Sequence, residues 1–255
     1  MVFQQIVEKQ KNLMAHYLTI GAIPNYPVDI HSKQGQKTIK GFIYNIGEEL
    51  GEANEAYEDS LISFENNLPS QGKELLVLHN EEVADVIHFV TELVILMGYD
   101  QNLPDLIRMH TPEPCLKMLP EGRDPFHMLL VMGDYYNFMD TWMGRSEPKN
   151  CFSPNGINSL DIGNYRVSQY NQQKLMKLSY LTLHHAFKLG NALKSSREWK
   201  QSEEAVKIPE VEKELANLLA GLFRYLAFGE FTTQNILAYY IKKNNMNLQR
   251  IKEKY

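Results

Sequence analysis

The chain has 255 residues, of which 44% are hydrophobic and 22% charged, and 26 basic against 31 acidic side chains give a net charge of −5. This is the composition of a soluble globular protein long enough to bury its own core. The mild acidity disfavours a nucleic-acid partner, because nucleic-acid binders usually carry a basic surface.

The sequence also lacks the features of an exported or membrane protein. The N-terminus is charged where a signal peptide needs an apolar core, and no apolar run approaches the ~20 residues that span a bilayer. Two cysteines, Cys115 and Cys151, are too few for a disulfide framework. We therefore expect a cytoplasmic protein without a membrane partner.

Helical periodicity dominates the chain, and no β-alternation or hairpin signal is found, so an all-α fold is predicted. Apolar residues recur at three- and four-residue steps over seven predicted helices: 3–18, 37–64, 80–97, 126–143, 169–196, 209–228 and 232–252. Seven of the 11 prolines lie within 100–167, which is expected to be an irregular insertion with one helix. One compact domain then comprises residues 1–99, this insertion and residues 168–255.

Two predicted helices each carry a pair of carboxylates. Glu49 and Glu52 are three residues apart, as are Glu82 and Asp85, so each pair shares one helix face. Apolar neighbours such as Val83 and the residues after Asp85 leave that helix only a narrow polar strip. Four carboxylates across a helix–helix contact suit Mg²⁺, which prefers oxygen ligands. The alternative is that these acidic residues are simply solvated.

The last predicted helix carries a stripe of polar donors. Tyr240, Lys243, Asn247 and Arg250 fall on one helical face. Such donors suit a triphosphate, because Arg binds phosphate in bidentate fashion. A solvated basic helix is the alternative.

These motifs resemble those of a known superfamily. ELGE at 49–52 followed by EVAD at 82–85 resembles the ExxE…ExxD pattern of the all-α nucleoside-triphosphate pyrophosphatases, the MazG-like superfamily. The pair His88-Phe89 resembles the second acidic motif of the dimeric dUTPases. Their last motif is matched by Tyr240, Lys243, Asn244, Asn247 and Arg250.

The resemblance implies a helical-bundle homodimer that hydrolyses a deoxynucleoside triphosphate, dUTP or dCTP, to the monophosphate and pyrophosphate. Two or three Mg²⁺ ions would be bound by Glu49, Glu52, Glu82 and Asp85, and Glu49 or Glu52 would be the catalytic base. Phosphate would be bound by Lys243, Arg250, Asn247, Asn244 and Tyr240. Gln10 would contact the base, and His88 is expected to pack or donate a hydrogen bond rather than bind metal.

The second half of the chain resembles a degenerate copy of the first. Residues 186–199 parallel 47–60, which places Lys188 and Asn191 opposite Glu49 and Glu52. Residues 213–229 parallel 81–98, with Glu214 opposite Glu82 and Asn217 opposite Asp85. Three of the four carboxylates are thus replaced, so the second copy is expected to bind no metal.

Some positions depart from the dUTPase pattern. Met14 stands where the family has an Asn that helps to read the base, and residues 61–74 lack its Trp- and Lys-rich segment. Two alternatives to a dUTPase-like enzyme therefore stay open. One is a MazG-like house-cleaning pyrophosphatase of broad or modified-nucleotide specificity, and the other is an inactive nucleotide-sensing module.

Overall fold

The computed structural model describes residues 1–111, 113, 117, 124–143, 169–193 and 206–254, with only the backbone of 138–143, 169–170 and 254. Within these residues the fold is all-α and contains no strand, as predicted. The helices are α1 (Val2–Thr19), α2 (Lys33–Glu65), α3 (Pro69–Leu96), α4 (Leu103–His110), α5 (Pro125–Met143), α6 (Gln169–Ala192), α7 (Ile208–Phe228) and α8 (Thr233–Lys254). Residues 112, 114–116, 118–123 and 144–167 of the predicted insertion, which include Cys115 and Cys151, lie outside the described residues, as do residues 194–196 at the end of the predicted helix 169–196.

The helices differ from the prediction in two places. Helix α3 begins at Pro69 rather than near Asn80, because Pro69 occupies a first-turn position and the chain turns tightly after α2. The tight turn is possible because Gly72 has no side chain: a Cβ there would lie 2.8 Å from the Phe64 ring. Helix α4 was not predicted, since Pro104 suggested irregular structure, yet this proline also lies in a helical first turn.

Two antiparallel helix pairs form the centre of the fold. Helices α2 and α3 make one pair, α6 and α7 make the other, and α2 packs against α6. Within the first pair, His79 of α3 places Nδ1 2.9 Å from the carbonyl oxygen of Ala53 on α2. Between the pairs, Asn54 donates a hydrogen bond of 2.8 Å to the Ser179 hydroxyl. These contacts fix the register in which α2 presents its acidic residues.

The remaining helices pack around this centre. Helix α5 lies so close to α7 that a Cβ on Gly133 would be 2.5 Å from the carbonyl oxygen of Phe223. Helix α4 packs on α5 and α7, while α1 and α8 pack on each other and on α3. One continuous cluster of buried hydrophobic side chains includes residues from all eight helices. No helix of the described chain is both long enough and apolar enough to cross a membrane.

Candidate metal and nucleotide site

The α2–α3 pair brings three predicted metal ligands together. One carboxylate oxygen each from Glu49, Glu82 and Asp85 lies within 4.8 Å of the other two. Asp85 is buried, and the other two side chains are half-buried. The antiparallel pairing explains the cluster, because each acidic pair lies at the same level of its helix.

The carboxylates of the cluster are close enough, and buried enough, to disfavour one another's charged form. Burial, together with the nearby charges of Asp85, Glu52 and Glu82, raises the pKa of Glu49 to about 7. Burial also raises the pKa values of Glu82 and Asp85 above their ordinary values. A donor set made of carboxylate oxygens fits a hard divalent cation such as Mg²⁺, whose charge would offset this repulsion.

Glu52, the fourth predicted ligand, lies at the edge of the cluster. Its side chain is exposed, one helical turn beyond Glu49, and it is not among the three residues within 4.8 Å. Its charge nevertheless raises the pKa values of Glu49, Glu82 and Asp85. The structure therefore brings together three of the four predicted ligands and places the fourth beside them.

Helix α8 brings positive charge to the same place. The Lys243 ammonium forms an ion pair with the Asp85 carboxylate, and both side chains are largely buried. Arg250 is exposed, and its charge, like that of Lys243, lowers the pKa of Asp85. Asn247 is half-buried between them on the same helix face. Thus Lys243, Asn247 and Arg250 lie on the side of α8 that faces the carboxylates.

A buried polar network lies behind this face. Gln10 is fully buried and donates a hydrogen bond of 3.0 Å from Nε2 to Glu92. Its Oε1 accepts a hydrogen bond from the Tyr240 hydroxyl and lies 2.9 Å from His88 Nδ1. The rings of His88 and Tyr240 stack at 3.9 Å, which confirms that His88 packs within the protein. Asn244, also buried, donates to the carbonyl oxygen of Lys9.

This network changes the interpretation of three predicted ligand contacts. Both polar ends of the Gln10 amide are engaged inside the protein, so contact with a base requires the network to open. Tyr240 and Asn244 are buried against α1 rather than directed at the carboxylates. Their predicted contacts with base or phosphate stay predictions. What they do in this structure is fix α8 to α1 and α3.

Glu92 is a member of the network that the sequence analysis did not single out. It is only 5% exposed, and its second carboxyl oxygen has no hydrogen-bond partner among the described residues. Burial raises its pKa to about 8, against the hydrogen bond from Gln10. The sequence feature that could have identified Glu92 is its position as an acidic residue in a mostly apolar run. It lies seven residues after Asp85 and hence on the same helical face.

In the α6–α7 pair, the carboxylate that aligns with Glu82 is Glu214, and its surroundings differ from those of the first cluster. Glu214 lies 2.9 Å from His185 Nδ1 and 3.8 Å from Lys188 Nζ, and Asn217 donates to it at 3.4 Å. Burial alone would raise the pKa of Glu214, but these hydrogen bonds and the Lys188 charge lower it below its ordinary value. Protein side chains therefore compensate the one carboxylate that the second pair retains. The prediction that this copy binds no metal stays a prediction.

The all-helical fold and the carboxylate cluster beside a basic helix agree with the class that the family match supports in general, a nucleotide pyrophosphatase of the helical type. A family model described as dUTPase matches residues 69–255, and the chain belongs to this family. The match includes Glu82, Asp85 and helix α8, whereas Glu49 and Glu52 precede it. No curated protein and no solved structure matches the chain.

Proposed function

We propose that the chain is a Mg²⁺-dependent deoxynucleoside triphosphate pyrophosphohydrolase that converts dUTP or dCTP to the monophosphate and pyrophosphate. The observation that carries this proposal is the convergence of Glu49, Glu82 and Asp85 next to Lys243. Family membership supports the reaction class, and the all-oxygen donor set supports the choice of metal.

Each carboxylate has a part in the proposed mechanism. Glu49, Glu52, Glu82 and Asp85 would hold two or three Mg²⁺ ions, and such ions would supply charge neutralisation at phosphate oxygens and acidify a water molecule. Either Glu49 or Glu52 accepts the proton of the attacking water. The water oxygen forms a new bond to phosphorus, and the bond between the α- and β-phosphates breaks to release pyrophosphate.

The side chains of α8 bind the phosphates in this proposal. Lys243 pairs with Asp85, and a cation held by the carboxylates would supply Asp85 with another counter-charge. The Lys243 ammonium would then be available to a phosphate oxygen, and Arg250 would add a second positive group. Asn247 contacts phosphate or sugar. Tyr240 and Asn244 support these contacts from the buried side of the helix.

We also propose that the active form is a homodimer. Large apolar side chains are exposed along one stripe of α6, with Met176 50%, Tyr180 72% and Phe187 60% exposed. Tyr44 on the adjacent α2 is 63% exposed. Four large exposed apolar groups on neighbouring helices favour a protein–protein contact. Light scattering should give the dimer mass, and Tyr180→Glu should shift it to the monomer; a monomeric parent protein contradicts the dimer proposal.

The test of the activity is pyrophosphate release from a panel of deoxy- and ribonucleoside triphosphates, with Mg²⁺ or with EDTA. Glu82→Gln should abolish turnover and also remove thermal stabilisation by Mg²⁺. Its matched control is Glu214→Gln, at the corresponding position of the second helix pair, which should retain both. Mg²⁺-dependent turnover that survives Glu82→Gln would show that the carboxylate cluster is not the metal site.

A second enzyme class is favoured by one observation. Met14 is fully buried in the position where the resemblance places a base-reading Asn, so this contact cannot be made by an amide. A house-cleaning pyrophosphatase with broad or modified-nucleotide specificity accounts for this difference. Turnover of many nucleotides at similar rates supports that class, while selectivity for dUTP or dCTP supports the first proposal. Mg²⁺ binding without any turnover would support the nucleotide-sensing module.

A further inference from the structure

A cavity lies between α4, α5, α6 and α7, away from the carboxylate cluster. Its volume is about 160 Å³. Its polar lining consists of His110, Thr111, Tyr136, His185, Asn217 and Arg224, and the other lining residues are aliphatic, Met or Gly. None of the residues proposed to bind metal, phosphate or base lines it.

The polar side of this cavity offers hydrogen-bond donors. Among the described residues that line it, none is Asp or Glu. The Arg224 guanidinium lies over the Tyr136 ring, 5.5 Å from its centroid, and supplies a fixed positive charge. His110 Nε2 is buried and has no hydrogen-bond partner within the described chain. A buried ring nitrogen without a partner at a cavity wall favours a polar ligand, because leaving it unpaired costs free energy.

The position of the cavity corresponds to that of the buried network in the first helix pair. In the alignment of the two halves, Asn217 stands opposite Asp85 and Arg224 opposite Glu92. The face of α3 that contains Asp85 and Glu92 is covered by α1 and α8, where Gln10 fills the space. The equivalent face of α7 is covered by α4 and α5, and there a cavity remains. Glu92 of α3 is thus replaced by Arg224 in α7. A carboxylate prefers a partner that donates a hydrogen bond, whereas a guanidinium prefers a partner that accepts one.

We propose that this cavity binds a single planar six-membered ring carrying carbonyl oxygens, the chemistry of a pyrimidine base, without metal. The size fits, because an apolar protein cavity of about 150 Å³ accepts one benzene ring. The aliphatic walls pack on the ring faces. Arg224 and His110 donate hydrogen bonds to the ring oxygens. The proposal uses no residue of the carboxylate cluster and does not depend on the hydrolytic activity.

The probe is 5-fluorouracil, observed by ¹⁹F NMR on addition of the full-length protein in EDTA. Saturable line broadening is expected, and unlabelled uracil should reverse it. Fluorobenzene has the ring without the oxygens, so it should bind at least about tenfold more weakly, the loss expected for hydrogen bonds to a charged donor. Absence of saturable binding, or equal affinity for the two probes, would overturn the proposal.

Two variants locate the binding site, and a third separates it from the catalytic site. Ala220→Leu fills the cavity from a half-buried position on α7 and should abolish binding in a protein whose melting temperature is retained. Arg224→Met should weaken binding about tenfold or more, because it removes the charged donor. Glu82→Gln should bind like the parent protein even though it hydrolyses no nucleotide. Binding unaffected by both cavity variants would place the probe elsewhere and refute the assignment.

Discussion

Replacing Glu92 with glutamine is expected to stabilise the folded chain at alkaline pH and to change its stability little near pH 5. Glu92 is 5% exposed, and burial raises its pKa to about 8. A glutamine is isosteric, and its carbonyl oxygen still accepts the hydrogen bond that Gln10 donates. The substitution therefore removes the ionisation and keeps the contact.

The sign and size of the effect follow from proton linkage. The folded chain holds a proton on Glu92 that the unfolded chain releases above its ordinary pKa of 4.5. As pH rises from 4.5 to about 8, the free energy of unfolding of the parent protein therefore falls. At about 1.4 kcal/mol per pKa unit, the full shift corresponds to at most about 5 kcal/mol. The free energy of unfolding of Glu92→Gln should not show this fall with rising pH.

Urea unfolding of both proteins at pH 5, 7 and 9, with EDTA present throughout, measures the difference. The gain in unfolding free energy should be small at pH 5 and larger at pH 7, and it should level off above about pH 8. Glu58→Gln, at an exposed position of α2, is the control and should show no pH-dependent gain. Parallel pH profiles for Glu92→Gln and the parent protein would refute the reasoning.

Three further predictions concern the site and the core. Lys243→Met should lower kcat for Mg²⁺-dependent hydrolysis by about 10²–10³, the loss typical of one charge-stabilising donor; unchanged steady-state kinetics would exclude Lys243 from the mechanism. Burial lowers the pKa of His79 to about 4, so the free energy of unfolding should fall as pH drops from 6.5 towards 4; His79→Gln should flatten this fall in urea titrations. Gly133→Ala should destabilise α5, because its Cβ would meet the Phe223 backbone, whereas Gly41→Ala, with nothing within 4 Å, should stabilise α2 by about 0.5–1 kcal/mol in the same assay. Equal effects of the two alanines would contradict the packing argument.

The carboxylate cluster was predictable because it depends on two local patterns. A three-residue spacing places Glu82 and Asp85 on one face of their helix, and the same spacing places Glu49 and Glu52 on one face of theirs. What brings the pairs together is a short connection between two long helices, which favours antiparallel packing. The early start of α3 was missed because Pro69 and Gly72 disfavour a helix interior, although both are favourable in the places they occupy.

The buried network was not predictable by the same means. Gln10 and Glu92 are separated by 82 residues in sequence and meet only after α1 packs on α3. From its own helix, Gln10 was equally compatible with a helix edge, and Glu92 was an isolated polar residue in an apolar run. Whether such a residue is solvated or paired depends on partners from distant helices. Local periodicity contains no information about those partners.

The position of α8 makes the site sensitive to the order in which the chain is synthesised. The carboxylates of α2 and α3 are complete by residue 85, but their counter-charge, Lys243, is translated 158 residues later. Helix α8 packs on α1, so this contact joins two segments that lie far apart in the sequence, and contacts of that kind slow folding. Until α8 docks, the carboxylate cluster lacks the ion pair that Lys243 forms with Asp85, so repulsion among the acidic groups opposes the packing of α2 on α3.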